Sequence, residues 1–267
     1  NQVESDQTPC QFRTTQAVTL WPIELTEAKY FSFAPDLPLT NLPIAQQING
    51  GLRLKLKTTA GLMFDQVNLE QIRIFLSGSE EITYKLHELC FGHLIGALVM
   101  LADKSSPWYE FIEAGNIRPV GYQDEEALLP ATLRNFQGYR LIQEYYSFPQ
   151  RFLFMDIGGL GPSVKKHSGN ELEIILLFER GESQLESMVD QSNFSLFCTP
   201  AINLFPKRAD RIHLGENTYE YHVVPDRTRP MDYEIYDVTS VVGYGVGSDS
   251  EQPFLPFYTS LNSTERA

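Results

Sequence analysis

The sequence predicts a mainly β fold with some α (α+β), arranged as two β-sandwich-like modules with a few packed helices. Short stretches rich in β-branched and aromatic residues recur along the chain, and turn-forming residues bound them. Residues 52–57 alternate leucine with a cation, which is typical of a strand with one buried face. Only two stretches have a helical pattern, so we expect strands to outnumber helices.

The first helical pattern begins after a strand-breaking Ser-Gly-Ser turn. Ser79 is a suitable N-cap, and the glutamates at 80–81 match the dipole of a first helical turn. The pattern predicts a helix that runs towards Leu101 and is apolar nearly all round in its second half, which indicates burial. Gly92 and Gly96 would then lie one turn apart and allow another backbone to approach closely.

The second helical pattern covers residues 138–148 and ends at a proline. Its apolar positions predict a short amphipathic helix; they are Tyr139, Leu141, Ile142, Tyr145 and Tyr146. We expect the other regular elements to be strands, at residues 16–21, 52–57, 72–76, 152–157, 172–178, 194–197, 218–224 and 233–242.

Domain organisation is predicted from the loop between the two helical patterns. Residues 119–130 combine prolines, a glycine and an acidic run at 124–126 that resembles a solvated helix start. We therefore expect an N-terminal β-rich module with one buried helix at residues 1–118, a linker at 119–137 and a C-terminal β-rich module at 138–267.

The charge balance bears on possible partners. The chain has 267 residues, with 21 Lys and Arg against 34 Asp and Glu, which gives a formal net charge of -13. Nucleic-acid affinity depends on clusters of cations that displace counterions, so this balance argues against a nucleic-acid partner.

Cysteine usage and apolar runs indicate the compartment. Cys10, Cys90 and Cys198 are odd in number and lack CxxC spacing, which favours a soluble protein in a reducing compartment. The longest apolar run, residues 89–102, is too short to span a bilayer, and no signal segment opens the chain, so membrane insertion is not expected. The chain begins with Asn1 and enters strand-like sequence at once, which suggests an excised fragment, although processing could leave the same end.

Three patterns in the sequence are candidates for a chemical site. His87, Cys90 and His93 would spread over about 120° of a helix surface, so we expect Cys90 in the core and the histidines at its borders rather than a metal site. The glycine-rich stretches 158–162 and 243–247 each follow a predicted strand without a predicted helix after them, so a phosphate-binding loop is not indicated. We predict no catalytic residue, no metal and no cofactor.

Two kinds of residue are candidates for partner contact. Asp226, Arg227 and Arg229 lie in a stiff charged loop between prolines, which is either a structural loop pinned by Asp226 with one of the arginines or a contact loop. Trp21 and Phe205 each precede a proline at a strand end. They either pack under a loop or anchor an interface.

Several longer motifs occur in a characteristic order. They are FRT at 12–14, LWP at 20–22, PVGYQDEEALLP at 119–130, GYRLIQEYY at 138–146, FPQRFLF at 148–154, CTPAINLFP at 198–206, VVPDRTRP at 223–230 and YEIYDV at 233–238. In this order they resemble the central part of the TssF (VasA/ImpG-type) family of type VI secretion baseplate subunits, from about residue 11 to 242.

The resemblance implies a non-enzymatic scaffold that assembles with TssG, TssK, TssE and other baseplate and hub proteins, with possible self-association. It also implies a location in the bacterial cytoplasm, docked at the inner-membrane complex. The family's N-terminal helical region and C-terminal portion are expected to be missing from this chain.

Two other classes of function remain open at this point. A carbohydrate- or ligand-binding β-sandwich module is favoured by the β content and the aromatic residues. A hydrolase on a β scaffold would need two carboxylates about 5–10 Å apart in a cleft.

Overall fold

The computed structural model describes residues 8, 10–33, 37, 45–101, 108–130, 136–245 and 250–255. The chain divides into two units, of which the larger is Thr14–Ile202 and the smaller comprises Asn1–Arg13 and Asn203–Ala267. The elements in chain order are β1 (Arg13–Thr14), β2 (Ile23–Phe31), β3 (Gly50–Thr58), β4 (Gln71–Leu76), α1 (Glu80–Gly92), β5 (Leu94–Leu101), β6 (Tyr109–Glu113), β7 (Ile117–Pro119), α2 (Gln137–Ser147), β8 (Phe154–Gly158), α3 (Gly161–Lys165), β9 (Glu171–Phe178), β10 (Phe194–Leu196), β11 (Ala201–Ile202), β12 (Val241–Tyr244) and β13 (Glu251–Phe254).

Two antiparallel sheets form the larger unit. The five-stranded sheet has the order β2-β3-β9-β5-β6, and the four-stranded sheet has the order β10-β4-β8-β7. The inner faces of both sheets and α1 contribute to one hydrophobic core. The larger unit is thus sandwich-like, and the predicted mainly β fold with some α is confirmed.

Strand β3 shows how the alternating pattern places residues. Leu52, Leu54 and Leu56 are buried in the core, while the intervening cations face the opposite side. There, Lys55 pairs with Glu171 of the neighbouring β9 at 2.9 Å. This ion pair raises the pKa of Lys55 and lowers the pKa of Glu171.

The predicted helix up to Leu101 is wrong in its second half. Helix α1 ends at Gly92, and residues 94–101 form β5, so Gly96 lies in a strand. Leu98 on β5 is buried in a second, smaller cluster on the other face of the five-stranded sheet. A strand buried on both faces is apolar all round, and hydrophobic periodicity does not separate it from a buried helix.

The chain does not divide at residues 119–137 as predicted. Strand β9 lies between β3 and β5, and β8 pairs with β4, so both sheets contain strands from each side of that loop. The eight residues of β9 are mostly buried, and they need neighbouring strands on both edges. The division between units instead lies at Ile202 and Asn203.

The smaller unit contains little regular structure in its described residues. Strands β12 and β13 form an antiparallel pair. The predicted strand at residues 218–224 is absent there, and the one at 233–242 is reduced to the start of β12. Residues 16–21, also predicted as a strand, form an irregular segment that leads into β2. In the part of the chain that the structure covers, no helix has the length and apolarity needed to cross a membrane.

Candidate interaction surfaces

Helix α1 carries the three residues that were considered for metal binding. His87 packs edge-on against Phe91, with 4.6 Å between ring centroids, and burial lowers its pKa. Cys90 is fully buried, which raises the pKa of its thiol to about 12. His93 lies against Glu179, with Nδ1 3.2 Å from Oε1. The three side chains therefore contact different groups. Among the described residues, no three His, Cys, Asp or Glu side chains are grouped so that they could bind a metal ion.

An open polar cleft of about 510 Å³ lies beside the glycine loop at 158–162. The short helix α3 follows this loop, whereas no helix was predicted there. Two of the acidic residues of the cleft are Asp156 and Glu126. Arg73 donates hydrogen bonds to both oxygens of Asp156 at 2.7 Å and lies 3.8 Å from Glu126. Glu126 also accepts a hydrogen bond from the amide of Gly121 at 2.6 Å. Both carboxylates thus have structural partners.

Trp21 lies just before β2 in the larger unit. Its side chain is partly buried and packs against the main core, and its carbonyl accepts a hydrogen bond from the amide of Ile23 at 2.8 Å. The preceding Leu20 is exposed. Packing against the core therefore accounts for a large aromatic side chain at position 21.

Phe205 lies in the smaller unit and is half-buried. Its ring meets that of Tyr233 edge-on, with 6.4 Å between centroids. The Lys207 ammonium lies 4.5 Å from the centroid of the Tyr233 ring and 3.6 Å from Oδ2 of Asp226. Lys207 thus connects the segment around Phe205 to the charged loop.

Asp226 orders the start of the charged loop. Its Oδ1 accepts hydrogen bonds from the Thr228 amide at 3.0 Å and the Thr228 hydroxyl at 2.6 Å. These bonds, with a smaller contribution from Lys207, lower the pKa of Asp226. The Asp226 side chain thus binds Thr228 and Lys207, and the loop arginine Arg229 meets Asp226 only through the backbone, where its amide donates to the Asp226 carbonyl at 3.2 Å.

The two arginines of the loop bind other groups. The Arg227 guanidinium donates to the carbonyl of Arg211 at 2.8 Å, and its amide donates to Asp210 at 2.7 Å. Arg229 donates to the hydroxyl of Thr8 at 2.9 Å. All three loop residues thus form hydrogen bonds within the smaller unit. Arg227 and Arg229 are nevertheless exposed.

The smaller unit has no buried residue among its described positions from 203 to 255. Large apolar side chains are instead exposed, such as Tyr219 at 91% and Met231 at 92%. Burial of apolar surface is the main favourable contribution to folding. Apolar surface of this segment is therefore exposed and available to pack against a binding partner.

Helix α2 has an unusual orientation. It was predicted correctly as a short helix, but most of its apolar side chains point outward and its charged side chains point inward. We define the α2 face by its five most exposed apolar residues: Phe136 (72%), Tyr139 (74%), Ile142 (56%), Tyr145 (52%) and Tyr146 (81%).

The inward side of α2 carries a buried ionic cluster. Glu144 and Arg151 are 2% and 0% exposed, and they form a direct hydrogen-bonded ion pair. Glu144 also accepts hydrogen bonds from the amides of Leu128 and Leu129 at 3.1 and 3.0 Å. Arg140, one turn before Glu144, donates to Asp124 at 2.8 Å. The cluster holds the loop before α2 against the helix.

Sequence reasoning did not find the α2 face or this cluster. The four-residue spacing of Arg140 and Glu144 was the available signal, because it places both on one side of a helix. Their inward orientation depends on Arg151 and on loop amides, which sequence periodicity does not reveal.

Comparison with known proteins gives three results. The family model for the type VI secretion system protein TssF matches residues 1–267. The type VI secretion system component TssF1 of Pseudomonas aeruginosa is 43% identical over 254 residues, which is 95% of this chain. The chain spans 40% of the length of that relative.

A solved structure supports the fold. A chain in the cryo-electron microscopy structure of a TssK-TssF-TssG baseplate subcomplex matches with a TM-score of 0.72 at 23% identity. The match covers 93% of this chain and 44% of that chain. On the strength of the family match over its whole length and of the curated relative, the chain belongs to the TssF family of type VI secretion system proteins.

Proposed function

We propose that this chain is a structural part of the type VI secretion baseplate wedge, where it assembles with other baseplate proteins and supports assembly of the contractile tail. The observation that carries the proposal is membership of the TssF family along residues 1–267. The similar fold in a TssK-TssF-TssG baseplate subcomplex adds support.

The partners proposed first are TssG and TssK, because both are named in that subcomplex. TssE, other hub and baseplate proteins and a second copy of the chain are further proposed partners. The proposed location is the bacterial cytoplasm, with the assembled baseplate docked at the inner-membrane complex.

The proposed role is non-enzymatic and works through surfaces. The cleft carboxylates Asp156 and Glu126 are engaged by Arg73 and by a loop amide, which suits a structural role better than acid/base chemistry. A general acid needs a carboxyl group that is free to hold and release a proton.

The smaller unit is the proposed site of partner contact. None of its described residues from 203 to 255 is fully buried, so a partner surface could cover the exposed apolar groups there. Phe205, Asp226, Arg227 and Arg229 are the proposed contact residues, since ordered arginines and aromatic rings are enriched at interfaces. Trp21 remains a weaker proposal, because the core already accounts for it.

The test is co-expression of the full native polypeptide that carries this chain with TssG and TssK, followed by affinity purification. We expect one complex from the unchanged protein and weaker retention of TssG or TssK by the Phe205→Ala and Arg227→Ala variants. Arg180→Ala is the matched control, because Arg180 is an exposed arginine of the larger unit paired with Glu88. Normal retention by both variants would contradict the contact residues, and absence of any complex would contradict the proposed function.

A further inference from the structure

We propose that an arginine-rich patch of the smaller unit is a docking surface for a carboxylate-rich segment of a different protein. The patch consists of Lys207, Arg208, Arg211, Arg227 and Arg229, which all belong to the smaller unit. The inference rests on the proposed function and deepens it, because it gives the chemistry that the charged loop would recognise in a partner.

Two segments form the patch, and hydrogen bonds hold them side by side. The amide of Asp210 donates to the carbonyl of Val224 at 2.9 Å, and the Asp210 carboxylate accepts the amide of Arg227 at 2.7 Å. The Arg227 guanidinium also donates to the carbonyl of Arg211 at 2.8 Å. These bonds bring the cations of the two segments together and order them before any partner binds, which reduces the entropy lost on binding.

The carboxylates beside the patch already have partners. Asp226 lies 3.6 Å from the Lys207 ammonium, and Asp232 accepts a hydrogen bond from the hydroxyl of Thr8. Counted with Asp210, these three aspartates leave the five cations with an excess of two positive charges. The patch is therefore locally basic on a chain whose net charge is -13.

The four arginines of the patch differ from most arginines of the larger unit. Arg73, Arg140 and Arg180 of the larger unit each pair with an aspartate or glutamate, at 2.7, 2.8 and 2.7 Å respectively. In the part of the chain that the structure describes, the four patch arginines form no such ion pair, and all four are exposed. A guanidinium binds a carboxylate through two parallel hydrogen bonds, so carboxylates are the groups that these arginines are suited to bind.

Carboxylates fit this patch better than phosphates do. Nucleic acids and anionic lipid surfaces bind clusters of cations that few acidic residues interrupt. Here aspartates lie among the cations, and the net charge of -13 would repel a long phosphate backbone or an anionic bilayer. The patch is therefore suited to a short acidic segment of a protein.

Two arguments favour a different protein over the remainder of the same polypeptide, which matters because the chain spans 40% of the length of its relative. The internal hydrogen bonds already order the patch, and water solvates an exposed guanidinium, so folding needs no further cover there. Protein interiors seldom bury unpaired charged groups, whereas arginine is enriched at interfaces between proteins. The patch thus has the composition of a recognition surface.

The test measures binding of a synthetic glutamate peptide to the full native polypeptide that carries this chain, by fluorescence anisotropy. A glycine-serine peptide of the same length is the uncharged control ligand. The variant Arg211→Gln with Arg227→Gln removes two cations from the patch. The matched control is Arg118→Gln with Arg180→Gln, because both are exposed arginines of the larger unit and the two variants have the same net charge.

We expect the unchanged polypeptide to bind the glutamate peptide but not the uncharged one, with an affinity that falls as salt rises. The patch variant should bind about tenfold more weakly, and the control variant should bind normally. Arg208→Gln is a second patch variant that leaves the loop intact, because the Arg208 side chain forms no hydrogen bond or ion pair with another described residue. It should weaken binding about threefold.

Several results would overturn the inference. Equal binding by the patch variants and the control would do so, and so would no binding by the unchanged polypeptide or tighter binding of a DNA duplex or of anionic vesicles. Binding by the 267-residue chain but not by the full polypeptide would identify the same polypeptide as the cover. Salt-dependent self-association that only the patch variants lose would identify a second copy as the occupant. The proposed function is tested separately by co-expression with TssG and TssK, so it stands or fails independently of these results.

Discussion

The buried ionic cluster on α2 gives a sharp prediction for stability. Replacing Glu144 with alanine removes the carboxylate that pairs with Arg151 and accepts the amides of Leu128 and Leu129. Burial already lowers the pKa of Arg151, and the nearby Glu144 charge opposes that shift. Without Glu144, the fully buried guanidinium would lose its main counter-ion.

The expected loss follows from these contacts. Removing one partner of a buried ion pair costs about 3–5 kcal/mol, because the other charge stays buried. A buried amide left without an acceptor adds roughly 1 kcal/mol or more. We therefore expect Glu144→Ala to lower the free energy of unfolding by about 4–6 kcal/mol, which is much of the 5–15 kcal/mol typical of a domain.

Urea unfolding followed by tryptophan fluorescence is the assay. The chain has two tryptophans, Trp21 and Trp108, and both belong to the larger unit that contains the cluster. Glu81→Ala is the control, because Glu81 is an exposed glutamate whose ion pair with Lys85 is at the surface of α1. It should change the free energy of unfolding by no more than about 0.5 kcal/mol.

A second variant separates the charge from the hydrogen bonds. The double change Glu144→Leu with Arg151→Met should be less destabilising than Glu144→Ala alone, because no unpaired charge remains in the interior. A loss below about 1 kcal/mol for Glu144→Ala, or a double variant worse than the single one, would refute the reasoning.

Three further predictions concern the pH dependence of stability, the reactivity of the cysteines and the packing of a strand glycine. Burial lowers the pKa of His167, so the unfolded state takes up its proton first. Stability should then fall as the pH drops below about 6.5, and urea titrations of His167→Gln should show a smaller fall. Burial raises the pKa of the Cys90 thiol to about 12, so Cys90 should not react with a thiol reagent in the folded protein. Mass spectrometry should find the reagent on the exposed Cys10 in the folded protein and on Cys90 only in urea. Equal labelling of both cysteines in the folded protein would contradict this burial. In Gly51→Ala the new Cβ would lie 2.7 Å from a backbone oxygen of β9, which should lower the free energy of unfolding in urea by about 1–3 kcal/mol. Gly92→Ala is the control, because its Cβ would enter open space and should cause no loss of stability. Equal effects of the two substitutions would contradict this packing.

The sequence predicted best those strands that have one buried and one polar face. Residues 52–57 and 72–76 alternate because one side packs on the core and the other meets polar partners, and both lie within strands. Residues 94–101 did not alternate, because β5 is covered on both faces, and they were mistaken for a helix. The pairing of β9 with β3 and β5 depends on contacts between distant segments, so the extent of the larger unit was also missed.

The candidate surfaces were predicted only in part. The charged loop was found from its composition; Asp226 and Arg227 have internal bonds in the structure, and contact of this loop with a partner stays a proposal. The amphipathic pattern of α2 was predicted, but periodicity gives only the separation of its two sides and not their orientation. The inward side is instead stabilised by Glu144 with Arg151, a residue outside the helix.

The most direct test of the central claim compares the 267-residue chain with the full native polypeptide that carries it. Each is co-expressed with TssG and TssK and analysed by affinity purification and size-exclusion chromatography. A structural role in the baseplate predicts that the full polypeptide co-elutes with both partners, and co-elution of the chain alone would locate binding surfaces within it. Separate elution of TssG and TssK from both proteins would contradict the claim.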